Sequence, residues 1–510
     1  MEAQEVQNPF LIPNIVKTLG RHVSRSQLLV FLRVCRTWHI ALEPLVWHTL
    51  ALQNQPCNFT PKQATPTLLL RNRHHIRHFH QVGSNSLLEP LAFSTRQPLM
   101  LLTSISVSIL SPEILMITQH NIETLTSFSC RSNRMRKDQE AQDLWCRHLF
   151  HILGMAPHLA ELALGPVTLL DPPKNLFNKV CKTVKRLELD RIKVTDRSLY
   201  SDSVDPEDIS MSTFVSLEAL ILIWNDFPPQ CQLELVRKAP KLKSINWRRG
   251  TKLLTESWLS GSLAVPVSLN RLDIGNSHIE DADMARVIAM LPTLEALGAR
   301  STPFGTQSAL QLIADQRDKM LELDLMDCKD LGSKMIQRML ASMPRLKIFR
   351  AANVEAIDIA RSFYATKTGA ILTSWACLSI EELELVIADL CHSQNAWHEE
   401  MQSLVFQQLS MLGRIRVLAL RASPVLSAED NHLLELTLES GLRWLASLKR
   451  LYELDLGNMP IRMSSEEVMW MVKECPQLRT LSGNVISAVR KSSQLKQELK
   501  ILRPEIKIVE

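Results

Sequence analysis

Apolar residues recur along this chain in one repeating arrangement, clearest from Leu269 onward. Leu269, Leu272 and Ile274 space as L-x-x-L-x-L, and Met284, Val287, Ile288 and Leu291 follow at helical spacing. The first group predicts a short strand, and the second a helix over Asp281 to Met290. One strand and one helix of about 25 residues cannot bury both of their apolar faces alone, so such a unit is stable only when stacked on its neighbours. The pattern therefore predicts an α/β solenoid, with parallel strands lining a concave face and helices on the convex one.

The same frame predicts strand anchors at Leu102, Ile122, Leu159, Val184, Leu217, Leu242, Leu269, Leu294, Met320, Leu346, Ile380, Ile415, Leu451 and Leu478. Steps in the middle are about 25 to 27 residues, while those near Leu217, Ile380, Ile415 and Leu451 stretch to about 33 to 36 and must hold loops or longer helices. Proline stands before the next strand at Pro157, Pro240, Pro292, Pro344 and Pro476, where it stops a helix and turns the chain. The last stretch, SSQLKQELKILRPEIKIVE, repeats helix, proline and strand once more and is expected to cap the array.

Residues 8–50 do not fit the repeat. They predict three amphipathic helices: Pro13 to Gly20, Ser26 to Glu43, and a last turn around Leu45 to Leu50. Ser24 or Ser26 is placed to cap the second. A helical piece of about 40 residues is marginal alone, so some of its large apolar side chains need a cover from elsewhere. Pro56, Pro61 and Pro66 mark a non-helical connector after it. In RNRHHIRHFH, Ile76 and Phe79 take the strand positions, so its histidines read as a basic, solvated edge of a first irregular repeat and not as a metal site. The run Pro98 to Pro112 is too short and too rich in serine to span a bilayer and reads as a buried strand and turn.

The order Ile12-Pro13, Ile15, Leu19, Leu28-Leu29, Val34-Cys35-Arg36-x-Trp38, Pro44-Leu45-x-Trp47 resembles the F-box. Asn14 stands where that motif commonly has an acid, and His22-Val23-Ser24-Arg25 replaces its usual acidic turn. The stretch LELDLMDCKDLGSKMIQRMLASMPRLKIF, from Leu321, resembles the cysteine-containing subclass of leucine-rich repeats. Val194-Thr195-Asp196 and Ile279-Glu280-Asp281 resemble the helix start of that subclass, whose Asp caps helical N–H groups. The resemblance implies a leucine-rich-repeat horseshoe preceded by a three-helix F-box, with Ile12, Pro13, Ile15, Val34, Cys35, Trp38, Leu45 and Trp47 facing a Skp-type adaptor. It implies a domain order of F-box-like motif (8–52), connector and irregular first repeat (53–98), degenerate repeats (99–490) and a capping helix and strand (491–510). Its implied function is that of a non-catalytic substrate receptor, joined through the adaptor to a cullin-RING ubiquitin ligase. A leucine-rich-repeat scaffold with no ubiquitin role is the alternative.

Composition narrows the classes further. With 58 basic and 53 acidic residues the net charge is +5, so no nucleic-acid partner is expected. Ten cysteines fall singly, with no C-x-x-C pair, and MEAQEVQNPF is acidic and polar where a secretory signal is basic then apolar; a reducing cytoplasmic or nuclear setting is expected, without a membrane. Fifteen glycines provide no phosphate loop, nucleophile elbow or dinucleotide turn. WHEEMQ at Trp397 opens like a zinc-protease helix, but Gln402 sits where the second histidine belongs. No catalytic residue, metal or cofactor is therefore expected.

Binding chemistry is better represented. Side chains between the apolar anchors point away from the core, and among them Trp224, Arg248, Arg249, Arg300, Met326 and Arg350 are the candidates for gripping a protein substrate, since an aromatic beside arginines is a hot-spot composition. Asp273, Asp324 and Asp455 read as ordinary polar positions of the strands. The basic RSNRMRK (131–137) and acidic SDSVDPED (201–208) insertions read as solvated loops, and the carboxylates around Ser201 and Ser203 make one or the other a candidate phosphate acceptor.

Overall fold

Leucine or another apolar residue at alternate strand positions drives the assembly, since a strand that buries these side chains and pairs its backbone with its neighbours leaves little apolar surface or unpaired backbone exposed. A computed structural model describes residues 12–53, 66–82, 88–93, 101–131, 139–166, 168–169, 179–194, 214–225, 229–248, 251–368, 375–387, 397–422, 434–457, 464–483 and 493–509. The chain divides into two compact units, Met1–Leu242 and Lys243–Glu510.

The first unit opens with three helices, α1 (Pro13–Gly20), α2 (Arg25–Phe31) and α3 (Arg36–Trp47). Strands β1 (Thr49–Gln53), β2 (His78–Val82), β3 (Ser104–Val107), β4 (Ser127–Cys130), β5 (Glu161–Leu164), β7 (Arg186–Asp190) and β9 (Ala219–Ile223) pair in parallel in that order. A small parallel pair, β6 (Thr168–Leu169) with β8 (Lys193–Val194), lies beside them in the chain. The register aligns Leu50, Phe79, Ile105, Phe128, Leu162, Leu187 and Leu220 in one row, all buried.

The second unit carries β10 (Ser244–Arg248), β11 (Arg271–Asp273), β12 (Ala296–Gly298), β13 (Glu322–Leu325), β14 (Ile348–Val354), β15 (Glu382–Ile387), β16 (Val417–Ala422), β17 (Glu453–Leu456), β18 (Thr480–Gly483) and β19 (Lys507–Val509), each parallel to the next. Ile245, Leu272, Leu297, Leu323, Phe349, Leu383, Leu418, Leu454 and Leu481 form its buried row. A helix separates most neighbouring strands, including Asp281–Ala289, Thr306–Gln316, Ser333–Ser342, Ala356–Thr368 and Trp397–Ser410, and consecutive helices pack side by side. This is the parallel α/β repeat the hydrophobic spacing predicts, and the closing helix Ser493–Leu502 and β19 follow the same rule.

A second regularity lies at the strand ends. Four residues after the strand's member of the buried row the backbone turns left-handed, at Arg191 and Trp224 in the first unit and at Asn276, Ser301, Asp327 and Asn353 in the second. The turned N–H of Arg191 reaches Ile223 O at 2.7 Å, that of Asn276 reaches Arg300 O at 2.7 Å, and that of Ser301 reaches Met326 O at 2.8 Å. Left-handed backbone is costly for side chains with a Cβ, and the bond to the next strand offsets that cost. One residue further on, a polar side chain turns inward. Asn225 Nδ2 donates to Leu189 O at 2.9 Å, and Cys328 Sγ donates to Ala299 O at 3.0 Å, in each case to the equivalent carbonyl of the preceding turn.

Three local expectations change. The second helix does not run from Ser26 to Glu43: α2 ends at Phe31 and α3 begins at Arg36, with Cys35 extended between them at φ −162°. The turn expected around Leu45 to Leu50 is instead the end of α3 followed by β1, because Leu50 and Leu52, two positions apart, bury on one face while Thr49 and Ala51 lie on the other, and the strand finds a partner edge in β2. The anchor at Ile122 moves to Leu125, which is fully buried while Ile122 is half-exposed; Asn121 occupies the turn and donates to Ile117 O, displacing the strand by three residues. The connector through residue 65 and most of the two charged insertions lie outside the described residues.

Candidate functional site

Two surfaces present side chains that the core does not use. The first belongs to the N-terminal helices. Pro13 starts α1 at a position where its missing N–H costs nothing. Ser24 caps α2 through a reciprocal box with Gln27, whose Oε1 accepts from the Ser24 N–H at 2.8 Å. Val16, Leu28, Ala41, Leu42 and Val46 form a small core, with Val23, Phe31, Leu32, Trp38 and Leu45 packed around it. Phe31 and Trp38 meet edge to face at 5.2 Å. Gly20 permits this packing, since a Cβ there would lie 2.5 Å from Leu42 Cδ2.

The opposite sides of the same helices are apolar too. Ile15 and Leu19, four residues apart on α1, are exposed together, as are Leu29 and Val30 on α2, Val34 in the following turn and Ile40 on α3; Val30 and Ile40 stand 63% and 62% open. Of the residues expected to face an adaptor, Pro13, Ile15 and Val34 are exposed, whereas Ile12, Cys35, Trp38, Leu45 and Trp47 are half-buried. Trp38 and Leu45 support the small core and hold the exposed residues in place. Leu19, Leu29, Val30 and Ile40 join the exposed set; the signal for them is helical phase, each lying off the face that carries Val16, Leu28 and Leu42.

The second surface is the solvent side of the sheet in the second unit, where charges interlock. Arg248 Nη2 donates to Asp273 Oδ2 at 3.0 Å, while Asp273 Oδ1 accepts the Gly275 N–H at 3.1 Å. Arg300 and Asp324 repeat the arrangement at 3.4 Å, with the Met326 N–H on the other carboxylate oxygen at 3.2 Å. Arg271 pairs with Glu322 at 2.6 Å. Arg350 reaches Glu382 at 3.0 Å and Glu384 at 3.5 Å, and Arg421 bridges Glu384 at 2.5 Å and Asp455 at 2.6 Å. The aspartates of these strands therefore tie off turns and hold arginines.

Among the expected substrate-gripping residues, Arg248, Arg300 and Arg350 sit in this lattice. Met326 is buried with Ala352 and Val386, which occupy the same position of the next two strands. Trp224, in the first unit, is 37% exposed and holds a left-handed φ of 55°. Arg249 lies outside the described residues. Arg421 escaped the sequence reading because it stands in a long, irregular step of the repeat. Replacing Arg421 by Met leaves Glu384 and Asp455 without their shared cation and is expected to cost about 1–3 kcal/mol, with partial recovery in Arg421→Met with Glu384→Gln; thermal unfolding of the two variants measures it.

Among the described residues no group of three His, Cys, Asp or Glu side chains is placed to hold a metal, and no helix is long and apolar enough to cross a membrane. Gln402 is buried in the helix Trp397–Ser410, its Oε1 accepting the Glu435 N–H at 3.1 Å. Burial pushes the thiols of Cys130 and Cys377 up to about 12 and those of Cys328 and Cys475 up to about 11, so all four are protonated at neutral pH. The chain matches no protein-family model and no curated protein.

Proposed function

We propose that this protein is the substrate-recognition subunit of a cullin-RING ubiquitin ligase, with α1–α3 docking onto a Skp-type adaptor and the solvent side of the strand array holding a protein substrate. The observation that carries the reading is the double-faced character of the helices. They bury one apolar side in their own core and leave Ile15, Leu19, Leu29, Val30, Val34 and Ile40 open to water. An apolar helical surface of this kind is stabilised when a partner covers it. The resemblance of Ile12-Pro13, Val34-Cys35-Arg36-x-Trp38 and Leu45-x-Trp47 to the F-box names the partner class, and the parallel strand–helix repeats that follow suit a leucine-rich-repeat receptor. Such a receptor acts by proximity: it raises the local concentration of a substrate lysine at the charged conjugating enzyme and contributes no reacting group itself.

Co-purification tests this. The full chain is expected to recover a Skp-type adaptor, and Ile15→Asp with Leu19→Asp to lose at least about tenfold of that recovery, since two charges would be driven into an apolar interface. Both positions face solvent, so the variant should keep the circular dichroism and melting of the parent. Failure of the parent chain to recover any adaptor would sink the ligase reading.

A further inference from the structure

A cleft of about 590 Å3 opens between the N-terminal helices and the start of the first unit's sheet. Its floor includes Leu28 and Val46, and its walls carry Lys17 and Arg21 from the end of α1, His48 from the α3–β1 junction, and His75 and Arg77 from the approach to β2. The β1–β2 pairing sets this gathering, since His48 O accepts the N–H groups of both Arg77 and His78 at 3.0 Å. Three formal positive charges and two imidazoles thus meet over a partly apolar floor.

What separates this cluster from the other arginines discussed above is that, among the described residues, its three cations form no ion pair with a carboxylate, Glu43 acting only at longer range on His75. Arg248, Arg271, Arg300, Arg350 and Arg421 each hold a carboxylate of their own sheet. Among the described residues, none of Lys17, Arg21 and Arg77 pairs with one, and Arg77 rests its guanidinium on the carbonyls of His74 and Ile76 at 2.8 and 3.3 Å. Concentrating like charges in a cleft costs energy unless an anion occupies it. Guanidinium groups match phosphate oxygens in geometry, and the volume is that of a small-molecule site.

We propose that this cleft binds a compact polyphosphate, a small molecule carrying two or more phosphate groups that Lys17, Arg21 and Arg77 grip together. A single monoanion leaves two of the three cations unsatisfied, whereas clustered phosphates engage all of them. The imidazoles add a pH dependence. Burial first, then His78, Arg77 and Arg21, holds His48 below its usual range; burial and then His74 and Arg77 lower His75, with Glu43 opposing. Glu43 also lies within 3.7 Å of His39 Nε2. Both lining imidazoles are neutral in the empty cleft at pH 8 and gain protons when an anion enters, so binding strengthens as pH falls.

Calorimetric titration of the full chain with tripolyphosphate tests the site. Expected is one saturable site whose affinity rises from pH 8 to pH 6, by up to about tenfold per pH unit for each proton taken up. Arg21→Gln and Arg77→Gln should each weaken it by about tenfold or more, and Arg21→Lys should restore part of the loss. Lys182→Gln with Lys185→Gln, which alters exposed charges away from the cleft, should leave affinity unchanged. Absence of saturable binding, or an equal loss in the Lys182/Lys185 variant, overturns the proposal; either result leaves adaptor docking untouched.

Discussion

Phe349→Ala is expected to destabilise the second unit by about 3–5 kcal/mol, the range for emptying a fully buried aromatic site. Phe349 has no exposed surface and stands opposite Leu323 on β13 and Leu383 on β15, so its ring fills two inter-repeat contacts at once. Alanine leaves a cavity that neighbouring side chains fill poorly, because their positions are fixed by the ladders on either side. Phe349→Leu keeps most of the volume and should cost about 1 kcal/mol. The spatial distribution of the loss is as informative as its size. In a row of units that touch only their neighbours, stability is a sum of local terms, so amide exchange should accelerate in β13, β14, β15 and the helices Ser333–Ser342 and Ala356–Thr368 before it changes in β17 to β19. Uniform acceleration through the whole unit would mean a single cooperative core and would contradict the repeat description.

Much of this architecture was legible because strand burial has a period of two and leaves a strong trace. Leu269, Leu294, Met320 and Leu346 come at steady intervals, and all are fully buried. The frame slipped at Ile122 because two apolar residues, Ile122 and Leu125, compete for the anchor, and only the inward turn of Asn121 decides between them. β1 was hidden for a related reason: LEPLVWHTLAL is apolar at both helical and strand spacing, and the choice depends on the edge of β2, some thirty residues on. Side-chain partnerships were less visible than elements. Arg300 and Arg350 are recognisable as outward-facing, but their carboxylates come from strands 24 and 32 residues away, a separation no local pattern encodes. The cleft cluster was hidden most completely, since His75 and Arg77 read as a solvated edge until the β1–β2 pairing places them against α1.

Asp281 shows how one repeat depends on the next. As the first residue of the helix Asp281–Ala289 it was expected to cap helical N–H groups, and it does, but those of the following helix, Thr306–Gln316. Its carboxylate accepts from the N–H groups of Gly305 at 2.8 Å, Gln307 at 2.9 Å and Ser308 at 3.0 Å, while its own carbonyl accepts from Ser308 Oγ at 2.9 Å. Gly305 permits the approach, since a Cβ there would stand 2.8 Å from Asp281 Oδ2. Asp281→Ala therefore leaves three N–H groups of a neighbouring repeat without their acceptor and is expected to cost about 2 kcal/mol; Asp281→Asn, which keeps one acceptor oxygen but no charge, should cost about half as much. Partial burial alone would raise the Asp281 carboxyl, but hydrogen bonds from Ser308, Gln307 and Gly305 outweigh it and hold the group below the ordinary carboxylate value of 3.8. A carboxyl depressed in the folded state contributes fully above its unfolded value and loses that contribution as pH falls through its folded one. The difference between parent and Asp281→Asn in chemical denaturation should accordingly be constant from pH 7 to about 5 and shrink below about 4. A gap that persisted unchanged to pH 2 would show that the charge of Asp281 does not couple these two repeats.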